Sequence, residues 1–141
     1  MYSVSKNVLF ATAAFTIVIG STTVADAAGD ATKGAAIFQQ CGACHSPKQG
    51  VNMVGPSLYG VVGRPAGTIT GYSYSQAMQE AAKKGLVWTP DNIVNYLQNP
   101  HKFLDTFAGD SSAPNKMPFS LADPQQRQDV VAYLQTIAVK K

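Results

Sequence analysis

Between Pro47 and Gly71 nine of 25 residues are glycine or proline, so no regular element can run through this stretch. A compact domain tolerates a loop of such length mainly when the loop wraps something. The chain has 141 residues, enough for one domain, and the helical patterns on either side of the loop are short. Helices of that size do not close a core without a large apolar insert.

The residues just before the loop indicate the insert. Cys41-Gly42-Ala43-Cys44-His45 contains both cysteines of the chain. Cysteines three apart project from the same side of a helical turn, within reach of the two vinyl groups of one haem, and the next imidazole is then aimed at the iron. A thioredoxin-like dithiol, half a zinc site or a plain disulfide uses the same C-x-x-C spacing. The dithiol wants a preceding strand in a βαβ context, and the zinc site wants two further Cys or His at matching spacing. Neither pattern is present, and the only other histidine is His101. The motif predicts one haem c joined through Cys41 and Cys44, with His45 on its iron.

The flanking segments read as helices. Asp30 is a capping residue ahead of a first helix that carries Ile37 and Phe38 and leads into the motif. Tyr74, Ala77, Met78 and Ala81 repeat at helical spacing and stop near Gly85. A third helix opens on Thr89, Pro90 and Asp91, with Trp88 placed to staple onto Ile93. Its buried face is Ile93, Tyr96 and Leu97, and Pro100 ends it. A capping box of Asp123, Pro124 and Gln126 starts the last, which runs through Val130, Leu134 and Ile137 to Lys140 and Lys141 at its negative end. Four or five helices and no convincing strand predict an all-α fold. With 45% hydrophobic and 13% charged residues the chain is globular, and a formal charge of +3 is too weak and scattered for a nucleic-acid binder.

Residues 1–27 stand apart from this domain. Lys6, thirteen uncharged residues from Val8 to Gly20, and small residues at Ala25 and Ala27 form the three regions of a secretory signal peptide. Thirteen residues at about 1.5 Å each fall short of the hydrocarbon core, which favours a cleaved leader over a membrane anchor. Cleavage after Ala27 leaves residues 28–141 as the mature domain, still at +3, and sends it to the periplasm.

What fills the second axial position of the iron decides the function. The candidates are Met53, Met78, Met117, His101 or no protein group. Met78 lies on a helical apolar stripe and reads as core, and Met53 follows His45 by only eight residues, with little chain to cross to the other haem face. Met117 lies in a stretch stiffened by Pro114 and Pro118, remote from His45 in sequence, and is the favoured ligand. A surface methionine in a loop is its alternative reading.

From Gly34 to the carboxyl end the chain resembles the class I cytochromes c. The resemblance rests on Gly34 and Phe38, on Cys41 to His45, on Gly55-Pro56-Ser57-Leu58-Tyr59-Gly60, on Gly63-Arg64 and on Gly71-Tyr72-Ser73-Tyr74. It continues through Trp88, Tyr96-Leu97-Gln98-Asn99-Pro100, Lys116-Met117-Pro118-Phe119 and Val131-Ala132-Tyr133-Leu134, all in family order. It implies that fold, with helices wrapped around one haem, and Met117 as sixth ligand. It further implies that the Pro56 carbonyl accepts from the imidazole of His45, and that Arg64, Tyr74 and Trp88 donate to the haem propionates. Tyr96 is implied beside the methionine sulfur, and Gly34 and Phe38 against Tyr133 and Leu134.

The resemblance implies a soluble, monomeric one-electron carrier and no enzyme. Its donor would be a membrane redox complex or a soluble dehydrogenase, and its acceptor a terminal oxidase, a reductase or a reaction centre, with no small-molecule substrate. A haem peroxidase or gas-binding protein, which needs a labile sixth ligand, is the competing reading; a module of a larger haem complex is a third. Two features depart from the mitochondrial pattern: a longer segment from Leu104 to Met117, as in longer bacterial carriers, and a lengthened Gln79 to Lys84. Gln39, Gln40 and His101 stand where relatives place docking lysines, while Lys102 and Lys116 remain, with Lys48, Lys83 and Lys84 as weaker candidates, so docking is expected to depend only weakly on salt.

Overall fold

The computed structural model describes residues 28–137, so the predicted leader and the terminal Lys140 and Lys141 lie outside the described residues. Five helices succeed one another: α1 Ala31–Cys41, α2 Gln76–Lys83, α3 Pro90–Gln98, α4 Pro100–Ala108 and α5 Pro124–Thr136. All-α is therefore the fold class, and the segment from Pro47 to Gly71 holds no helix. Among the described residues the β structure is one isolated bridge, Pro65 to Val87.

Capping chemistry sets the helix starts. The Asp30 carboxylate accepts from the amides of Thr32 and Lys33, Thr89 from Asn92, and Asp123 from Gln125 and Gln126, as their positions in the sequence predict. Three boundaries differ from the sequence reading, and in the last helix the difference is that α5 ends at Thr136 with Ile137 as its cap. Tyr74 lies outside α2, because Ser75 supplies the capping oxygen to the Met78 amide. Pro100 does end α3, but it also begins α4: the Asn99 side chain accepts from the Lys102 amide, and the proline ring occupies the first helical position, where a missing N–H does no harm.

The tightest helix pair is α1 against α5. A Cβ on Gly34 would lie 1.9 Å from the Asp129 carbonyl oxygen, so only glycine permits this approach. One turn further on, Phe38 meets Tyr133 with ring centroids 5.0 Å apart at 50°. Buried Asp129 fixes the other end, its carboxylate accepting from the Asp30 amide at 2.8 Å and the Gln125 side chain at 2.9 Å. These bonds hold its pKa below the usual carboxylate value, the Asp30 amide contributing most.

The long loop is pinned rather than loose. The Leu58 amide donates to Ser46, the Ser57 hydroxyl to Lys48, and the Gly60 amide to Ile137 beyond the end of α5. Gly63 and Arg64 pair with Trp88 through two backbone bonds of 2.8 and 2.9 Å. The loop thus folds back over the motif and forms one wall of an internal space.

Candidate haem site

A cavity of about 570 Å³ opens between α1, α3, α5 and the loops, and Cys41, Cys44, His45, Pro56, Arg64, Tyr74, Trp88, Tyr96 and Met117 all line it. Apolar side chains such as Phe38, Ile93, Leu97 and Leu134 make up much of the wall. Fold and lining together define a chain wrapped around a large apolar group.

The motif forms where α1 ends. The amides of Cys44 and His45 both donate to the Cys41 carbonyl, at 3.0 and 2.9 Å, closing a tight turn. His45 Nδ1 lies 2.8 Å from the Pro56 carbonyl oxygen. A carbonyl only accepts, so Nδ1 carries the proton and Nε2 is left with its lone pair, the form that binds a metal. Burial draws the imidazole pKa down, with the Pro56 bond acting in the opposite direction. Gly55 packs on the ring so closely that a Cβ there would sit 2.2 to 2.7 Å from three of its atoms.

Another part of the wall is the irregular stretch from Pro114 to Phe119. Its Met117 amide donates to the Asn115 side-chain oxygen at 3.1 Å, Lys116 Nζ to the Ser73 carbonyl at 2.7 Å, and the Ala77 amide to the Pro114 carbonyl at 3.2 Å. The first bond shapes the methionine loop from within, and the other two fasten it to the start of α2 and the residues just before it. Met78 is buried in the core and also lines the cavity, whereas Met53 and His101 are exposed and do not.

Polar groups are few and specific. Arg64 donates to the carbonyls of Tyr59 and Ser57, which uses two of its five N–H groups, and has no carboxylate partner among the described residues. Tyr74 accepts from the Ile69 amide at 3.2 Å, leaving its hydroxyl proton to donate. Trp88 meets Tyr96 edge-on, with centroids 4.9 Å apart, and burial pushes the Tyr96 phenol pKa far up. Tyr72, Ser75 and Asn115 also line the cavity. The sequence reading assigned them no role. Asn115 had one local signal, its position two residues before Met117 between two prolines.

Whether a haem fits is tested by one unsatisfied atom. Asn115 Nδ2 is buried with no hydrogen-bond partner among the described residues. A buried donor without an acceptor is unfavourable by about 1–3 kcal/mol, so the wall is built for a group that brings one. An apolar ring with carboxylates at its edge fits such a lining, since it would bring acceptors for Asn115, for the uncommitted N–H groups of Arg64 and for the Tyr74 hydroxyl.

The cytochrome c family profile matches residues 31–138. The chain is 49% identical over 125 residues to cytochrome c2 of Rhodopseudomonas palustris, covering 84% of this chain and 88% of that protein. It is 43% identical to cytochrome c-550 of Novispirillum itersonii, over 77% of this chain and 99% of that protein. Among solved structures, cytochrome c2 of Rhodospirillum centenum superposes with a TM-score of 0.75 at 44% identity, over 79% of this chain and all of that chain. The ferricytochrome c2 of Rhodopseudomonas palustris gives 0.72 at 50% identity, over 77% and 98%. The chain belongs to the cytochrome c family. It carries one covalent haem c and functions as a monohaem electron carrier.

Proposed function

We propose that this chain carries single electrons through the periplasm with both axial positions of its haem supplied by its own side chains, His45 and Met117. The haem supplies an iron that holds or releases one electron. The protein does the rest. Pro56 holds the His45 imidazole in the tautomer that leaves Nε2 free, and Gly55 leaves it no room to turn. Lys116 and the Pro114 carbonyl tie the Met117 loop at two points and Asn115 braces it from within, so that the thioether is presented by a fixed backbone. Arg64, Tyr74 and Trp88, which line the cavity, would donate to the propionates, and Tyr96 would stand beside the methionine sulfur. The apolar wall keeps water off the ring, and a thioether favours the reduced metal, so the potential is positive.

The observation that carries this reading is the convergence of His45, with Nε2 unprotonated, and Met117 on one apolar cavity from which Met53 and His101 are absent, Met78 lining it too but as a buried core residue of α2. With both positions taken, no substrate reaches the metal, and the chain passes electrons through the ring edge rather than acting as an enzyme. Donors are a membrane redox complex or a soluble dehydrogenase, and acceptors a terminal oxidase, a reductase or a reaction centre. Residues 1–27 serve as the cleaved leader; among the described residues no helix is long and apolar enough to cross a membrane. The test is the ferric absorption spectrum. A weak far-red band from sulfur-to-iron charge transfer is expected in the wild type and absent in Met117→Ala; its survival in the variant would remove Met117 from the iron.

A further inference from the structure

The loop from Val51 to Val54 is built inside out. Its polar residue Asn52 turns inward, accepting from the Ser57 amide at 3.0 Å and donating to the Thr70 carbonyl at 3.4 Å. The three apolar residues face solvent: Val51 is 42% exposed, Met53 48% and Val54 76%. They are the large hydrophobic side chains so exposed among the described residues. The backbone that presents them is anchored, since the Met53 amide donates to Gly55, the Gly55 amide to Cys44 and the Tyr72 hydroxyl to the Val54 carbonyl. An ordered loop that hides its amide and shows three apolar groups forgoes burial the fold could have made, which marks a contact surface.

Its location selects the occupant. Val54, itself 76% exposed, lines the haem cavity, and the amide of the next residue, Gly55, donates to exposed Cys44, so the loop meets solvent at the edge of the cavity. Electrons leave only where a partner covers that edge. From Ala31 to Gln79 the sequence has no Asp or Glu; exposed Lys116 lines the cavity, and exposed Lys48 stands three residues before Val51 on the same loop. A second copy of this chain would bring the same lysines against these, like charge on like.

Resting on the carrier function above, we infer that Val51, Met53 and Val54 form the apolar centre of the docking face for the redox partner, a protein whose contact surface is apolar around its own cofactor with a sparsely acidic margin. Contact between apolar groups supplies most of the affinity, and the two lysines only orient the encounter.

The test compares the wild-type holoprotein with V51T/M53Q, near-isosteric changes at exposed positions outside the cavity lining. Reduction of the oxidised protein by quinol-supplied membrane vesicles of the source organism is monitored at low and high salt, with ascorbate as a small reductant that needs no docking face. The second-order rate with vesicles is expected to fall about tenfold in the variant at both salt concentrations, the combined effect of losing two of the three apolar contacts. Reduction by ascorbate, the absorption spectrum and the unfolding midpoint stay unchanged. A variant rate within about twofold of wild type, or a loss confined to low salt, overturns the inference. So does a wild-type dimer in sedimentation that the two substitutions dissolve. If vesicles fail to reduce even the wild type while ascorbate succeeds, the membrane complex is struck out as donor, a result that does not involve the variant, and the same comparison with the soluble dehydrogenase fraction of that organism then decides the inference by the same rate criteria.

Discussion

At Gly55 the backbone lies against the ring of His45. Any side chain there would overlap Cε1, Nδ1 and Nε2 of the imidazole, so Gly55→Ala must swing the ring off the Pro56 carbonyl or push the loop outward. The expected outcome is a marked loss of haem-loaded protein and an altered spectrum in what remains, measured as the haem-to-protein ratio after expression. At Asn115 the unpaired Nδ2 predicts a different effect. Asn115→Ala leaves the apolar wall intact but removes a donor and the acceptor of the Met117 amide, so the far-red band should be weaker than in wild type in the ferric spectrum at neutral pH. These two residues also mark what was legible. Cys41, Cys44 and His45 could be read because thioether attachment demands a fixed local spacing. Gly55 was quoted only within a motif, and Asn115 had no assigned role, because each depends on what a distant part of the chain brings against it.

Helix pairing places the cavity, and α1 with α5 is the pair that does so. Gly34→Ala puts a methyl group into the Asp129 carbonyl and should destabilise by about 2 kcal/mol or more, read as a lowered denaturant midpoint at unchanged slope. The Asp129 carboxylate stabilises the same pair in a pH-dependent way. Its pKa in the folded protein is depressed by the Asp30 amide and then by Gln125. Its contribution is therefore full above the ordinary carboxylate pKa of about 4 and disappears as pH falls through the folded-state value. Thermal unfolding from neutral pH into acid should show a shallower decline for Asp129→Asn, which starts from a lower midpoint. The helix starts were readable from Asp30, Thr89 and Asp123 because capping is local. Helix α4 was not resolved as an element of its own, since Pro100 reads equally as a terminator of α3 and as the first residue of a new helix. The bridge from Pro65 to Val87 was invisible to pattern, being a single pairing enforced by the loop that wraps the cavity.

For the whole molecule, a chain with modest helices and a 25-residue glycine- and proline-rich loop is complete only with its haem in place. Material purified from the source organism should have the mass of residues 28–141 plus one haem, after a denaturing wash that removes any non-covalent group. A polypeptide beginning at Met1 would overturn the cleaved leader, and loss of the haem in the wash would overturn attachment through both cysteines. Family and fold were legible because the anchors from Gly34 to Leu134 occur in order along the chain. The docking face was only half legible: the shortage of lysines could be counted, while the outward turn of Val51, Met53 and Val54 required knowing that Asn52 points in. The central claim is that both faces of the iron are closed by His45 and Met117, and exposure of the reduced protein to carbon monoxide at neutral pH tests it most directly. An unchanged reduced spectrum is the predicted result; prompt formation of a carbon monoxide complex would contradict it.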